Sequence, residues 1–504
     1  MKPFLLFDVY EEKSRRKRSN DNELTEDLNL SVIFQAMSQK DKFLYQTAKN
    51  VVLNSLTDIS TLIYRQKVLQ DCLNNKAVTE KFYTLATDVL NEAADYVQNM
   101  QPSYSKIIST STKLMNSVAL FEVLVVKLER LRSLSRPAEK EFHSEGFSRF
   151  YGQQTDYLTD GFFVNLKQNI SDLKYLSEGG KIVIGSGMGT GMKGTGHILR
   201  RISRYTSQEN SNKKLKRNAA DNEIFLDNNR LANSAREVED AALIHILRLI
   251  NHFNSSMLDY FEQLHYEAGF YLGCINLHNI LSDILAPITF PVPEGTGNRN
   301  LVFDRLYDVS LALNEKEIPV GNTLKASEKT LLIITGANQG GKTTFLRSIG
   351  IAQLFMQCGM FVPSAYYAAN VCDRIFTHFT REEDAGMNSG KLDEELLRMN
   401  NIIEQISVNS MLLVNEPLAT TTEREGSEIA SEIVTALYEL GVKVLFVTHL
   451  YEFSDHLYCL NLTQALFLRA ERSENGGRTF CIKPGCPLHT SYGEDLFNSI
   501  MKVV

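Results

Sequence analysis

The feature that most constrains the fold of this 504-residue chain is a strand, a glycine-rich turn and a helix in direct succession. The apolar run at 331–334 predicts a buried strand, and 344–356 has the apolar spacing of a helix. Four residues of the turn fit the pattern G-x-x-x-x-G-K-[ST]: Gly336, Gly341, Lys342 and Thr343. In this pattern backbone N–H groups surround a polyphosphate, and the helix adds the positive end of its dipole. The segment therefore predicts a nucleotide-binding loop, with Lys342 at the β- and γ-phosphates and Thr343 at Mg²⁺.

Strands and helices continue to alternate through the last two hundred residues. The predicted strands are 331–334, 375–379, 410–414 and 442–447, and the predicted helices are 344–356, 392–406 and 426–440. This alternation is typical of a mostly parallel sheet with crossover helices. We therefore predict an α/β domain over 286–504.

The chain upstream has a different texture. Apolar residues recur at helical spacing over 28–134 and 233–281, which predicts an all-α domain over 31–285 after a polar segment at 1–30. A glycine-rich stretch at 179–196 predicts a loop or hairpin, and the basic segment that follows is either a solvated linker or a patch for the DNA backbone.

Composition excludes some classes of protein. The net charge of −7 gives no overall attraction to nucleic acid, so any DNA surface must be local. No apolar run is long enough to span a bilayer, and the charges at the start of the chain follow its short apolar stretch, unlike a secretory signal. Seven cysteines without such a signal indicate reduced thiols and a cytoplasmic location.

A polar pair follows the predicted strand 410–414. In P-loop ATPases the first residue of this pair is an acid that holds the metal shell, and the second polarises the attacking water. Glu416 occupies the second position, but the first position is occupied by Asn415, whose amide is uncharged. We therefore place Thr343, Asn415 and Glu416 around Mg²⁺, and expect weaker metal binding, slower turnover or both.

Two further positions complete the predicted site. His449 follows the strand at 442–447, where a side chain can reach the γ-phosphate. Ser389 and Gly390 open the helix at 392–406, and a Ser-Gly turn at a helix N-terminus is itself suited to phosphate. Because the first loop already holds the phosphates, this second turn suggests ATP shared between two subunits. The segment 420–426 is either a helix cap or part of such a subunit contact.

Several segments, in this order, resemble the MutS family of DNA mismatch-repair proteins. The family patterns are matched by TGANQGGKTTFLRSIG at 335–350, CDRIFT at 372–377 and SYG at 491–493. Residues 383–390 stand at the position of the ABC-type signature, in a form altered from the usual longer, Ser/Thr-rich one. Upstream, 58–69 resembles the helical core, or lever, that precedes the ATPase domain in this family. The resemblance implies that the DNA-contacting clamp of the family is reduced here to an insertion at about 150–230. The resemblance implies a multidomain protein in which an all-α core and lever precede an α/β P-loop NTPase domain of the ABC type.

The resemblance also implies ligands and partners. It implies ATP and Mg²⁺ as cofactors, mismatched or branched DNA as a partner, and a homodimer formed through the ATPase domains, with no membrane partner. Glu416 and His449 would be catalytic. The nucleotide contacts would be Gly336, Asn338, Gly340, Gly341, Lys342, Thr343 and Thr344 of one chain, with Ser389 and Gly390 of the other.

Departures from the family pattern narrow the predicted function. The chain starts near the helical core and shows no Phe-x-Glu wedge, so we expect no direct mismatch reading. We expect an ATPase that couples ATP to DNA binding in repair or recombination. Two alternatives remain open: an ATP-gated DNA clamp or scaffold with little hydrolysis, which Asn415 favours, and the ATPase subunit of a transporter.

Overall fold

The computed structural model describes residues 1–9, 20–100, 109–177, 181–188, 190, 194–203, 229–337, 339–380, 390–473 and 477–488. The chain divides into two compact units. The first comprises Met1–Pro3, Ala77–His143 and Phe147–Ala268, and the second comprises Phe4–Lys76, Ser144–Gly146 and Gly269–Val504. The domain boundaries expected from the sequence stay a prediction.

Helices dominate the first three fifths of the chain, as its apolar spacing predicts. Their bounds are α1 Asp21–Asp27, α2 Leu30–Ser38, α3 Lys42–Leu53, α4 Ile59–Asn74, α5 Lys76–Met100, α6 Thr110–Ala138, α7 Glu145–Tyr157, α8 Asp160–Ser177 and α9 Asn229–Asp283. Side-chain oxygens of Asp41, Asp58 and Ser109 accept N–H groups at the starts of α3, α4 and α6. These N-caps satisfy backbone donors that a helix leaves free.

The glycine-rich stretch forms a hairpin. Strands β1 Lys181–Met188 and β2 Gly194–Ser203 pair antiparallel, with register shifts after Val183 and Gly185. Most of the basic segment that follows, and the basic run at 13–18, lie outside the described residues. The choice between a linker and a DNA-backbone patch therefore stays open.

The C-terminal part is α/β. Its strands are β3 Val292–Glu294, β4 Leu301–Leu306, β5 Asn322–Ala326, β6 Leu331–Thr335, β7 Tyr366–Asn370, β8 Ile375–Phe379, β9 Met411–Asn415, β10 Lys443–Val447, β11 Ala465–Arg472 and β12 Arg478–Pro484. Its helices are α10 Val309–Glu315, α11 Lys342–Cys358, α12 Lys391–Ile403, α13 Glu423–Glu439 and α14 Tyr451–Cys459. All four predicted strands and all three predicted helices are confirmed, with ends that move by a few residues.

A six-stranded sheet in the order β12-β11-β6-β10-β9-β8 forms the centre of this part. Every neighbouring pair is parallel except β11 with β12. The central strands β6 and β10 are buried along their whole length and mostly apolar, because crossover helices such as α13 cover the sheet. Since parallel strands end at one edge, the residues after β6, β9 and β10 lie near each other.

A second, four-stranded sheet, β3-β7-β4-β5, was not predicted. Its strands are short, and two of its three pairings, β3 with β7 and β4 with β7, join segments far apart in the sequence. Short alternating strands give a weak signal beside the long apolar runs of the main sheet. Within the residues that the structure describes, no helix is both long and apolar enough to cross a membrane.

Candidate functional site

The turn between β6 and α11 has the backbone conformation that its glycines predict. Gly336 has a φ of 121° and Gly341, the N-cap of α11, a φ of 90°, a region where side chains are strained. A Cβ on Gly336 would also lie 2.9 Å from the backbone nitrogen of Ala470 on β11. The loop therefore requires glycine for both conformation and space, and it leads directly into the N-terminus of α11.

Lys342 lies in the first turn of α11 with its side chain only 3% exposed. Its Nζ donates to the carbonyl oxygens of Gly336 at 3.0 Å and Ala337 at 3.1 Å, and lies 3.2 Å from Nε2 of His449. Burial lowers the pKa of Lys342, and the nearby carboxylate of Glu416, 3.7 Å away, opposes that effect. The ammonium group is thus held against the loop by three neighbours.

Thr343 and Asn415 meet at the end of β9. The hydroxyl of Thr343 donates to Oδ1 of Asn415 at 3.0 Å. Asn415 ends β9 and pairs with Val447 of β10 and Phe379 of β8, so the sheet fixes its position. Both side chains offer an uncharged oxygen that could act as a metal ligand.

Glu416 and His449 are in hydrogen-bonding contact. Oε1 of Glu416 lies 2.8 Å from Nε2 of His449, and the two side chains are 36% and 30% exposed. The hydrogen bond with His449 lowers the pKa of Glu416, burial opposes the change, and the charges of His449 and Lys342 add to the lowering. Glu416 is therefore a carboxylate at neutral pH and accepts hydrogen bonds.

The backbone around Glu416 is strained, and hydrogen bonds from the neighbouring strands β8 and β10 hold it in place. Glu416 has a φ of 51° and Leu418 a φ of 60°, an uncommon region for residues other than glycine. The Glu416 N–H donates to the carbonyl of Val447 at 2.9 Å. Thr380, just after β8, donates from its hydroxyl to the carbonyl oxygens of Asn415 and Glu416. Three strands thus position one carboxylate.

The strand ends therefore bring together five of the predicted residues: Lys342, Thr343, Asn415, Glu416 and His449. Gly336, Gly340, Gly341 and Thr344 belong to the same turn and helix start. Gly390 is the N-cap of α12. Asn338, Ser389 and the segment 491–493 lie outside the described residues, so their predicted roles stay predictions.

Comparison with known proteins agrees with this arrangement. Residues 57–284 match the family described as MutS2 N-terminal domain, and residues 332–493 match MutS domain V. The chain belongs to the MutS family. The resemblance stated from the sequence motifs is thereby confirmed.

Relatives in the MutS family are similar in sequence to part of this chain. It is 28% identical over 207 residues to the DNA mismatch repair protein MutS of Macrococcus caseolyticus, and 33% identical over 144 residues to that of Desulfosudis oleivorans. The matches cover 40% and 28% of this chain, and 24% and 16% of those relatives. The chain thus spans about a quarter or less of the relatives it matches.

Sequence reasoning missed the contacts that reach this MutS-family site from other elements. Arg478, at the start of β12, donates to Oε1 of Gln339 in the glycine-rich turn before α11 at 2.6 Å. Phe480 of β12 has a φ of 59°, is 45% exposed, and its Cα lies 3.5 Å from where a Cβ of Gly341 would stand. No local pattern marks these residues, because their role depends on the antiparallel pairing of β11 with β12.

Proposed function

We propose that this chain is an ATPase of the P-loop, ABC type that binds and hydrolyses ATP and couples this cycle to DNA. The observation that carries the proposal is the convergence of Lys342, Glu416 and His449 beside a glycine loop at the start of a helix. The relatives that it matches are DNA mismatch repair proteins, which supports DNA as the partner.

Phosphate binding would use the loop and its lysine. The glycine-rich turn leads directly into the N-terminus of α11, where the positive end of the helix dipole would attract phosphate. Lys342 would exchange its carbonyl partners for phosphate oxygens, which bind an ammonium more strongly because they are charged. The buried position of Lys342 strengthens this attraction by excluding water.

The oxygen donors at the end of β9 fit Mg²⁺. Thr343 and Asn415 would hold the ion, directly or through water, and Glu416 adds the negative charge that Asn415 lacks. When bound, Mg²⁺ neutralises the charge that develops on the β- and γ-phosphates. Asn415 places an oxygen where P-loop ATPases carry an acidic residue, but it lacks the negative charge of that residue.

Hydrolysis would use Glu416 as the group that orients water. Its carboxylate accepts a hydrogen bond from the water, whose oxygen forms a bond to the γ-phosphorus as the bond to the bridging oxygen of ADP breaks. Glu416 takes the proton that the water loses. His449, 2.8 Å from that carboxylate, keeps it ionised and would contact the transferred phosphate.

The site would be completed by a second copy of the chain. We propose that Ser389 and Gly390, at the start of α12, contact the nucleotide of the partner, so that two ATP molecules lie between two chains. Gly390 lies at a helix N-terminus with its backbone extended, at φ −62° and ψ 149°. ATP binding would then close the dimer and move the helical part of the chain. We propose no direct mismatch reading.

A DNA clamp that binds ATP and barely hydrolyses it is the second candidate. Asn415 favours it, because an amide gives Mg²⁺ no charge. The contact between Glu416 and His449 favours hydrolysis.

The test is steady-state ATP turnover by the wild type beside Glu416→Gln. Each protein is assayed at one salt concentration without DNA and with plain duplex, mismatched duplex and branched DNA, because phosphate contacts depend on salt. We expect turnover in the wild type, an increase with at least one DNA form, and a loss of at least about a hundredfold in the variant. ATP binding with equal, negligible turnover in both proteins contradicts the enzyme and leaves the clamp.

A further inference from the structure

The carboxylate that would orient water in the proposed ATPase lies on a turn whose conformation must be enforced. Glu416 and Leu418 both have positive φ and flank Pro417. Such a backbone persists only where its surroundings hold it. Thr380 and Val447 hydrogen-bond to the backbone of the turn only up to Glu416. A further contact is therefore needed to hold Leu418, on the other side of Pro417.

Glu395 of α12 provides that contact. Its Oε1 accepts the backbone N–H of Leu418 at 2.8 Å, and both residues are buried. Loss of the acceptor would leave a buried N–H without a partner, which is costly. The turn after β9 is thus tied to the second turn of α12 by a single carboxylate.

His378 of β8 keeps this carboxylate in place. Its Nε2 lies 3.5 Å from the same Oε1 of Glu395, and the two side chains are 1% and 7% exposed. Burial opposes the ionisation of Glu395, but its contacts with His378, the N–H of Leu418 and the charge of Arg398 together lower its pKa. Glu395 is therefore an ionised acceptor at neutral pH.

The surroundings of the pair are apolar. A cavity of ≈ 10 Å³ beside it is lined by Leu396, Met399, Ala430, Ile433 and Phe446, among others. Few competing polar groups are present, and a hydrogen bond in such a setting is stronger than in water. The residue that receives the bond, Leu418, is two positions from Glu416.

The pair also joins two parts of the proposed site. Glu395 is on the helix that begins after Gly390, where the partner's nucleotide would bind, and Leu418 is on the turn that carries Glu416. A shift of α12 along its axis would move Oε1 away from the Leu418 N–H. The position of α12 therefore sets whether the turn keeps its strained form.

We infer that Glu395, supported by His378, is a positioning residue for Glu416, through which the placement of α12 controls the hydrolytic step. The inference rests on the proposed ATPase function and adds two residues to its site. Neither residue contacts the phosphate loop or Lys342 within the described part of the chain, so the effect should fall on kcat and leave ATP affinity unchanged.

The experiment compares Glu395→Leu, which removes the acceptor, with Glu395→Gln, which keeps an amide oxygen for the Leu418 N–H. Glu404→Leu is the matched control, because Glu404 is exposed just after the end of α12. The measurements are kcat and KM for ATP, the Kd of a non-hydrolysable ATP analogue, and amide hydrogen exchange of a peptide covering 416–422. A displacement of about 1 Å can cost a hundredfold in rate.

We expect Glu395→Leu to lower kcat about tenfold to a hundredfold and to speed exchange within 416–422, with KM and Kd changed less than about twofold. Glu395→Gln should recover kcat to within about threefold of the wild type, and Glu404→Leu should match the wild type. If Glu395→Leu does not fold, His378→Gln replaces it, with the same split between kcat and Kd expected.

Two results would overturn the inference. One is an unchanged kcat with faster exchange, since the contact would then stabilise the turn without serving the reaction. The other is an equal loss in Glu395→Gln accompanied by faster exchange throughout the sheet, which means general loss of the fold. A wild type without turnover refutes the ATPase itself, a result independent of any change at Glu395.

Discussion

The described site depends on a few atoms whose positions are set by strand ends. Nζ of Lys342 has three polar neighbours within 3.2 Å, two of them carbonyls of the loop that precedes its own helix. Glu416 has a lowered pKa because His449 hydrogen-bonds to it. These residues form one charged cluster, so changing one of them alters the electrostatics of the others.

Replacing Lys342 with Met should lower affinity for ATP at least about tenfold, because the ammonium that would bind the phosphates is lost. The apolar chain of Met keeps the packing of the buried stem. Binding of a fluorescent ATP analogue measures the change. Lys329→Met is the control, since Lys329 is partly exposed near the opposite end of β6, where it donates to the carbonyl of Thr463. Equal affinities in both variants would contradict the assignment of Lys342.

Replacing Asn415 with Asp should lower the Mg²⁺ concentration needed for half-maximal turnover by about threefold to tenfold. The carboxylate keeps the acceptor that Thr343 uses at 3.0 Å and adds one negative charge beside the ion. Turnover against Mg²⁺ concentration at saturating ATP measures the effect. A requirement for Mg²⁺ that stays the same would show that residue 415 does not act on the metal.

At the scale of elements, the α/β part is held together by polar contacts between strands and helices that are distant in sequence. Lys443 begins β10 and is fully buried. Its Nζ donates to the side-chain oxygen of Asn370 at the end of β7 and to the carbonyl of Asn300. This lysine links the two sheets, and the link has a cost because its charge is buried.

Burial lowers the pKa of Lys443 to about 8, from an ordinary value of 10.5. Between these values the unfolded chain binds a proton that the folded chain has lost, so the free energy of unfolding contributed by this residue rises with pH. The rise is about 1.4 kcal/mol per pH unit across the window. Urea unfolding of the wild type and Lys443→Met at pH 7.5, 8.5 and 9.5 measures it. Stability curves that run parallel would contradict the lowered pKa.

At the scale of the whole molecule, helix α11 contacts residues from the N-terminal part of the chain. The last turn of α11 accepts the N–H of Leu56 at the carbonyl of Gln357, at 2.8 Å. Arg65 of α4 donates to the carbonyls of Leu6 and Cys358. Residues 4–76, 144–146 and 269–504 form one compact unit, in which the C-terminal turn of α11 contacts Leu56 and Arg65.

The proposed dimer predicts that nucleotide binding changes the mass of the assembly. Glu416→Gln would bind ATP without using it, so its dimers should accumulate, and sedimentation velocity with and without ATP measures them. Lys342→Met should remain in its nucleotide-free state under both conditions. A mass of Glu416→Gln that does not respond to ATP would contradict a shared site.

The sequence by itself determined the order of four strands of the main sheet and the three helices between them, and which polar residues lie at the ends of β9 and β10. Long apolar runs specify central strands, since only a doubly covered sheet buries them. Residues that follow such strands meet at one edge by the geometry of parallel pairing, which is why Asn415, Glu416 and His449 could be grouped before their contacts were known.

Tertiary structure alone decided the four-stranded sheet, the approach of β12 to the phosphate loop, and the contact of Glu395 with Leu418. Each depends on segments far apart in the chain and on side chains that no motif marks. Glu395 is one of several acidic residues on α12, and its role follows from the single fact that it faces His378 and the turn after β9. The period of a pattern specifies which face of an element is buried, whereas the partner of a buried polar group is set by the packing of whole elements.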